Sequence, residues 1–150
     1  MANSSAICTS FKSDILQAYH NFGTTVTRAG TGADTLKAAL YLTTGSLGAG
    51  TTAYSSTNEV SGTGYTAGGV TVTNATAPTT SGTTAYWTPS SITYSTVTLT
   101  TAFDTVLLYN STNSNKAILT FNFGSPTVTA GTLTLNMPTN ASSTALIQLN

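Results

Sequence analysis

The only histidine of this chain, His20, and its only cysteine, Cys8, both lie near the N-terminus and are the first residues to test for chemistry. A Ser-His-Asp hydrolase needs an oriented base beside its nucleophile. The sequence contains no G-x-S-x-G elbow for His20 to serve. Catalysis by paired carboxylates needs two acids close together. Asp34, Glu59 and Asp104 are widely spaced, and nothing in the sequence brings them together. Metal ligands come as His, Cys or carboxylate clusters at defined spacing, and the sequence has none. The glycine-rich run at residues 61–69, SGTGYTAGG, lacks the Lys-Ser/Thr ending of a P-loop and does not fit G-x-G-x-x-G. It reads as a loop. A single cysteine excludes an intrachain disulfide, and Cys8 reads as a small apolar residue rather than a nucleophile. These residues predict a protein that is not an enzyme and holds no cofactor or metal.

Composition narrows the class further. A chain of 150 residues with 39% hydrophobic residues suits one domain, 1–150, with a real core. Only 5% of residues are charged, against about 25% in ordinary soluble domains. Four cations and four acids balance, so no basic patch exists to neutralise a row of phosphates. No stretch approaches the ~20 apolar residues of a membrane-spanning helix. The first residues, MANSSAICTS, lack the cationic and apolar regions of a secretory signal. No nucleic acid and no membrane are expected as partners. Four Asn-x-Ser/Thr triplets, at Asn3, Asn74, Asn110 and Asn140, are what chance supplies in a chain this rich in Asn, Ser and Thr. Strand edges are usually protected by charge. A β-protein without it is expected to have its surface covered, as a dimer, a trimer or part of a larger assembly.

The elements that position these residues begin with a helix. Phe11, Ile15, Tyr19 and Phe22 recur at helical spacing, Thr9 or Ser10 can cap, and Gly23 can stop, predicting a helix over residues 11–22. Its apolar stripe is expected to seal one end or edge of the sheets, with His20 in the last turn. The N-terminal segment would then be residues 1–23 and the β-body residues 24–150. A short strand is expected at residues 24–28. Residues 35–43 read as a strand with Leu36, Ala38, Leu40 and Leu42 inward and Lys37, Ala39 and Tyr41 outward, although a helix competes there. Residues 45–69 form the longest irregular region, an excursion that Tyr54, Val60 and Tyr65 could pin down.

Further strands are expected at residues 70–74, 83–87, 92–100, 127–129, 132–137 and 145–149, with a turn at 77–82. In 92–100 the apolar parity switches between Tyr94 and Val97, which predicts a β-bulge near Ser95–Thr96. The centre of the domain is a hairpin. Residues 105–109 read as a strand buried on both faces, and 116–123 as an alternating strand with Ile118 on its wetter face. Asn110 to Asn115, NSTNSN, links them as a polar loop suited to contacts with another molecule. One helix and roughly eight short strands with regular turns predict an all-β, jelly-roll-like β-sandwich. Tyr54, Tyr65, Asn110, Asn113 and Asn115 are the candidate interface residues; Phe11, Ile15, Tyr19 and Phe22 are the candidate helix-packing residues. Tyrosines and Trp87 on such a scaffold could also form a sugar-binding platform, while core and interface roles are the ordinary ones.

Several segments carry a resemblance: CTSFK from Cys8, DTLKAALY from Asp34, NEVSGTGYTAGG from Asn58, LLYNSTNSNKA from Leu107 and PTNASSTALI from Pro138. Together they resemble small virion structural proteins of tailed bacteriophages. The resemblance spans nearly the whole chain and carries no chemical motif. It implies a capsid cement (decoration) protein with a jelly-roll-like body, made in the host cytoplasm and placed on the capsid exterior. Its implied partners are the major capsid protein and further copies of itself. The alternative is a tail-fibre or adhesin domain binding a host surface glycan.

Overall fold

The structure is a computed structural model that describes residues 3–16, 18–23 and 32–149. The strand expected at residues 24–28 lies outside them. Among the described residues, ten strands and one short helix make the fold all-β and sandwich-like, with every pairing antiparallel. In chain order they are β1 (Ala6–Ile7), α1 (Thr9–Leu16), β2 (Leu36–Leu42), β3 (Val70–Thr71), β4 (Thr79–Ser81) and β5 (Thr84–Trp87). There follow β6 (Ile92–Leu99), β7 (Phe103–Asn110), β8 (Lys116–Asn122), β9 (Val128–Leu135) and β10 (Ile147–Leu149). They form a five-stranded sheet β1-β8-β7-β2-β3, a three-stranded sheet β10-β5-β4 and a ribbon β6-β9.

The hairpin β7–β8 is the centre of the five-stranded sheet, as its sequence suggests. Register places Leu36, Ala38, Leu40, Val106, Leu108 and Phe121 on one face, and Ala39, Tyr41, Leu107 and Tyr109 on the other. The first face meets the ribbon, where Phe121 and Phe123 line a cleft with Leu135 and Met137. The second face is covered by residues 45–69. Tyr54 stacks on Tyr109 with centroids 4.8 Å apart, and the Tyr41 hydroxyl donates to the Ser55 carbonyl at 2.5 Å.

Packing against the sheet explains two departures from the sequence reading. Ala39 and Tyr41 of β2, expected outward, are buried, and Ile118 of β8 is buried rather than on a wetter face. Tyr41 lies beneath a layer built from loop, and Ile118 belongs to a strand that β1 and α1 pack against; alternation along a strand reveals neither. The ribbon agrees better: register shifts between Tyr94 and Val97, and Thr96 takes a left-handed φ of 54°. The two strands expected at 127–129 and 132–137 are one bulged strand, β9, with Ala130 at φ 46°. The turn expected at 77–82 contains β4.

The helix is shorter than its apolar spacing suggests. It ends at Leu16, and Ala18 takes φ 56°. The Ala18 N–H bonds the Ile15 carbonyl at 3.0 Å and the Tyr19 N–H bonds the Asp14 carbonyl at 2.9 Å. Those are the two bonds of a Schellman stop, made here without glycine. Tyr19, His20 and Phe22 therefore follow the helix instead of lying on it.

Candidate functional site: the excursion and the hairpin tip

Residues 45–69 run along the molecule by borrowing strand edges. Ala53 bridges Lys116 on β8, Glu59 bridges Tyr41 on β2, and Thr63 bridges Thr98 on β6. Glycines let the chain come this close, Gly62 among them, where a Cβ would collide with the Thr98 carbonyl. Gly69, at φ 71°, sits where a Cβ would collide with the backbone of Ala38, and at Gly64, φ 77°, it would collide with the Thr96 carbonyl. The SGTGYTAGG run is thus a close-approach segment, and its glycines are used up against strands.

One carboxylate holds the excursion together. Glu59 Oε2 accepts the Tyr54 hydroxyl at 2.6 Å; Oε1 accepts the Tyr65 hydroxyl and the Gly68 N–H, each at 2.7 Å. The Tyr65 hydroxyl also accepts the Leu40 N–H at 3.0 Å. The Tyr109 hydroxyl donates to the Gly68 carbonyl at 2.8 Å, and that of Tyr94 to the Ala38 carbonyl at 2.9 Å. Burial, with the Glu59 charge as a further cause, pushes the phenols of Tyr41, Tyr54, Tyr65, Tyr94 and Tyr109 above their ordinary value. Tyr54 and Tyr65 are half-buried, and their hydroxyls serve this hub. That assigns both an internal role that sequence spacing could not disclose.

The hairpin tip is a second polar centre. Asn110 is 0% exposed, the last residue of β7 rather than a loop residue. Its Oδ1 accepts the N–H groups of Thr112 and Asn113, each at 3.1 Å. Its Nδ2 therefore faces the Asp34 carboxylate at 2.6 Å, the Tyr19 carbonyl at 3.1 Å and His20 Nδ1 at 3.2 Å. Nδ1 is then the acceptor, and neutral His20 carries its proton on Nε2, 3.7 Å from Asp14 Oδ2. Lys116 Nζ reaches Asp14 Oδ1 at 3.0 Å and lies 4.6 Å from the Tyr19 ring centroid. Asn113 Nδ2 donates to the same Tyr19 carbonyl at 3.0 Å. Burial lowers the His20 pKa, against the opposing pull of Asp14 and Asp34.

This cluster clasps the segment after α1 to the hairpin. An aromatic row continues it, with Phe11 4.9 Å from His20 and Phe22 4.7 Å from Trp87, centroid to centroid. Phe11 is buried, and Ile15 and Phe22 pack half-buried against the core. The His20 side chain is 0% exposed and stands at the floor of an apolar cleft that Phe11, Phe22 and Trp87 also line.

Asp34, Glu59 and Asp104 occupy three separate neighbourhoods: the clasp, the tyrosine hub, and a contact in which Asn3 Nδ2 donates to Asp104 Oδ1 at 2.7 Å. Cys8 is buried with its thiol pushed up to about 11 by desolvation, which leaves it a poor nucleophile. What the excursion and tip present to solvent is Thr, Ser, Asn, Ala and Gly, with Ser114 and Asn115 in left-handed turns at φ 50° and 55°. No protein family, curated protein or solved structure matches the chain.

Proposed function

We propose that this protein is a non-enzymatic virion structural protein, a cement that binds the outer surface of a phage head as an oligomer and stabilises it. The observation that carries the proposal is the neutral surface of the excursion and hairpin tip. Glu59 is the one charged residue in 45–69, and its carboxylate accepts bonds from Tyr54, Tyr65 and Gly68. The remaining exposed positions are hydroxyls, amides and backbone, a surface that forms many short polar contacts and is insensitive to salt. The sequence resemblance supplies the target. Many identical copies on one particle add binding energy that the shell alone lacks, and avidity strengthens each weak contact.

Purified protein added to heads that lack it, at low and high salt, tests the proposal. Stoichiometric binding that persists in high salt and raises the temperature of particle disruption is the expected result. Failure to bind heads, with binding to host surface polysaccharide instead, overturns it in favour of a tail-fibre or adhesin domain.

A further inference from the structure

The strand order β10-β5-β4 leaves one side of β10 without a ladder partner among the described residues. Other edges are poorer candidates for pairing. β1 and β3 have two residues each. β9 is broken by register shifts and by left-handed Ala130, which turn an edge away from further pairing. β4 is Thr-Thr-Ser, exposed and without an apolar side chain. β10 differs because it carries Leu149, a large hydrophobic side chain that stands 43% exposed. Ile147 and Leu149 share a face by parity. Both line an apolar cleft of about 130 Å³ together with Phe11, Phe22, Pro78 and Trp87. Neither β10 nor the cleft lining contains Asp, Glu, Lys or Arg.

We propose that β10 is a self-association edge, through which two copies of this chain pair antiparallel across a two-fold axis at Gln148. The backbone supports that register. The Leu146 N–H points toward β5, donating to Thr88 Oγ1 at 2.8 Å. Strand alternation then turns the Gln148 backbone toward β5 and the N–H and C=O groups of Ile147 and Leu149 toward the open side. Those outward groups exchange hydrogen bonds between copies, Ile147 of one against Leu149 of the other. Each Leu149 thereby lands ~4.5–5.5 Å, Cβ to Cβ, from an Ile147 on the cleft face. A two-fold contact must complement itself, and an uncharged strand meets its own copy without repulsion. The strands are short, so the dimer is weak and concentration-dependent. The inference deepens the oligomer part of the proposed function and does not depend on the phage-head partner.

Sedimentation velocity on the full chain across a concentration series tests it, with circular dichroism to confirm folding. The expected result is a monomer–dimer equilibrium that Leu149→Asp weakens at least tenfold; Leu149→Ala shifts it the same way and serves if the Asp variant misfolds. Under mild oxidation the Gln148→Cys variant is expected to give a disulfide-linked dimer, because residue 148 meets its own copy in the close, non-hydrogen-bonded position. A strictly monomeric wild type, a trimer, or a dimer that ignores Leu149→Asp and does not cross-link through position 148 overturns the proposal. Head binding by Leu149→Asp is scored separately, so failure of this edge is distinguishable from failure of the cement reading.

Discussion

The Tyr65 hydroxyl donates to Glu59 Oε1 at 2.7 Å while accepting the Leu40 N–H at 3.0 Å, so one side chain fastens the excursion's carboxylate to a core strand. Truncating the carboxylate strands three donors at once, from Tyr54, Tyr65 and Gly68. Hydrogen bonds to a charged acceptor are worth about 1.5–3 kcal/mol, and unsatisfied buried donors add to the loss. Glu59→Ala is expected to lower stability by about 3 kcal/mol in urea titration. Tyr54→Phe, which removes one donor and leaves the carboxylate two, is expected to cost about 1 kcal/mol.

The same hub predicts behaviour in alkali. The phenols of Tyr41, Tyr54, Tyr65, Tyr94 and Tyr109 are raised, so the folded chain keeps protons that the unfolded chain releases near pH ~10. Stability is therefore full below that pH and falls as pH rises through it. Absorbance of the hub tyrosinates is expected to appear together with unfolding. Titration of these five phenols near pH ~10 with the fold intact contradicts this.

How much of this was readable from sequence follows the range of each interaction. Residues 105–109 and the bulge at Thr96 are set by neighbours a few positions away, and parity reveals them. The end of α1 was not readable. Tyr19 and Phe22 continue the helical spacing because both pack against the clasp and core after the chain has turned at Ala18. Asn110 reads as the first loop residue, and only the fold shows its amide meeting Asp34, 76 positions away. The Glu59 hub was equally hidden, because nothing local distinguishes Tyr54 and Tyr65 as internal ligands of a carboxylate from anchors for a partner.

Acid is expected to loosen the clasp. His20 is faced by Asp14 on α1, by Asp34 before β2, by the Asn110 amide on β7 and, through Asp14, by Lys116 on β8. Burial holds its pKa below the unfolded value of about 6.5. Between those two values the unfolded chain binds the extra proton, so stability falls as pH falls through the window. Protonating Nδ1 also sets a donor against the Asn110 Nδ2 donor. The melting temperature is expected to drop between pH 7.5 and 5.5, and His20→Gln is expected to flatten that slope. An equal slope in the variant would remove His20 as the cause.

Ala18 offers a gain. An L-residue in the left-handed region costs about 1–2 kcal/mol, and glycine avoids most of that while giving up more backbone entropy on folding. Ala18 is exposed at φ 56°, donates one bond of the helix stop and turns the Tyr19 N–H into place for the other. Ala18→Gly is expected to raise stability by about 0.5–1 kcal/mol. Ala18→Val, β-branched in the same conformation, is expected to lower it.

Gly69 gives the sharpest test of how the excursion is seated. Its N–H bonds the Thr66 carbonyl at 3.0 Å, its φ is 71°, and a Cβ there would collide with the Ala38 carbonyl and backbone rather than with a movable side chain. Two penalties add: the left-handed conformation at about 1–2 kcal/mol and overpacking at about 1–3 kcal/mol. Ala38 cannot retreat, because its strand pairs with β7 on one side and β3 on the other. Gly69→Ala is therefore expected to cost about 3 kcal/mol or more. The strain is relieved by lifting residues 66–69 off β2, which also breaks the Gly68 bond to Glu59 and the Tyr109 bond to Gly68. Gly124→Ala is the control, since nothing lies within 4 Å of a Cβ built there. Hydrogen exchange is expected to show lost protection at the Val60 and Val72 amides in the first variant and none in the second. Equal stability of the two variants would mean that the excursion is not held against β2 by this contact.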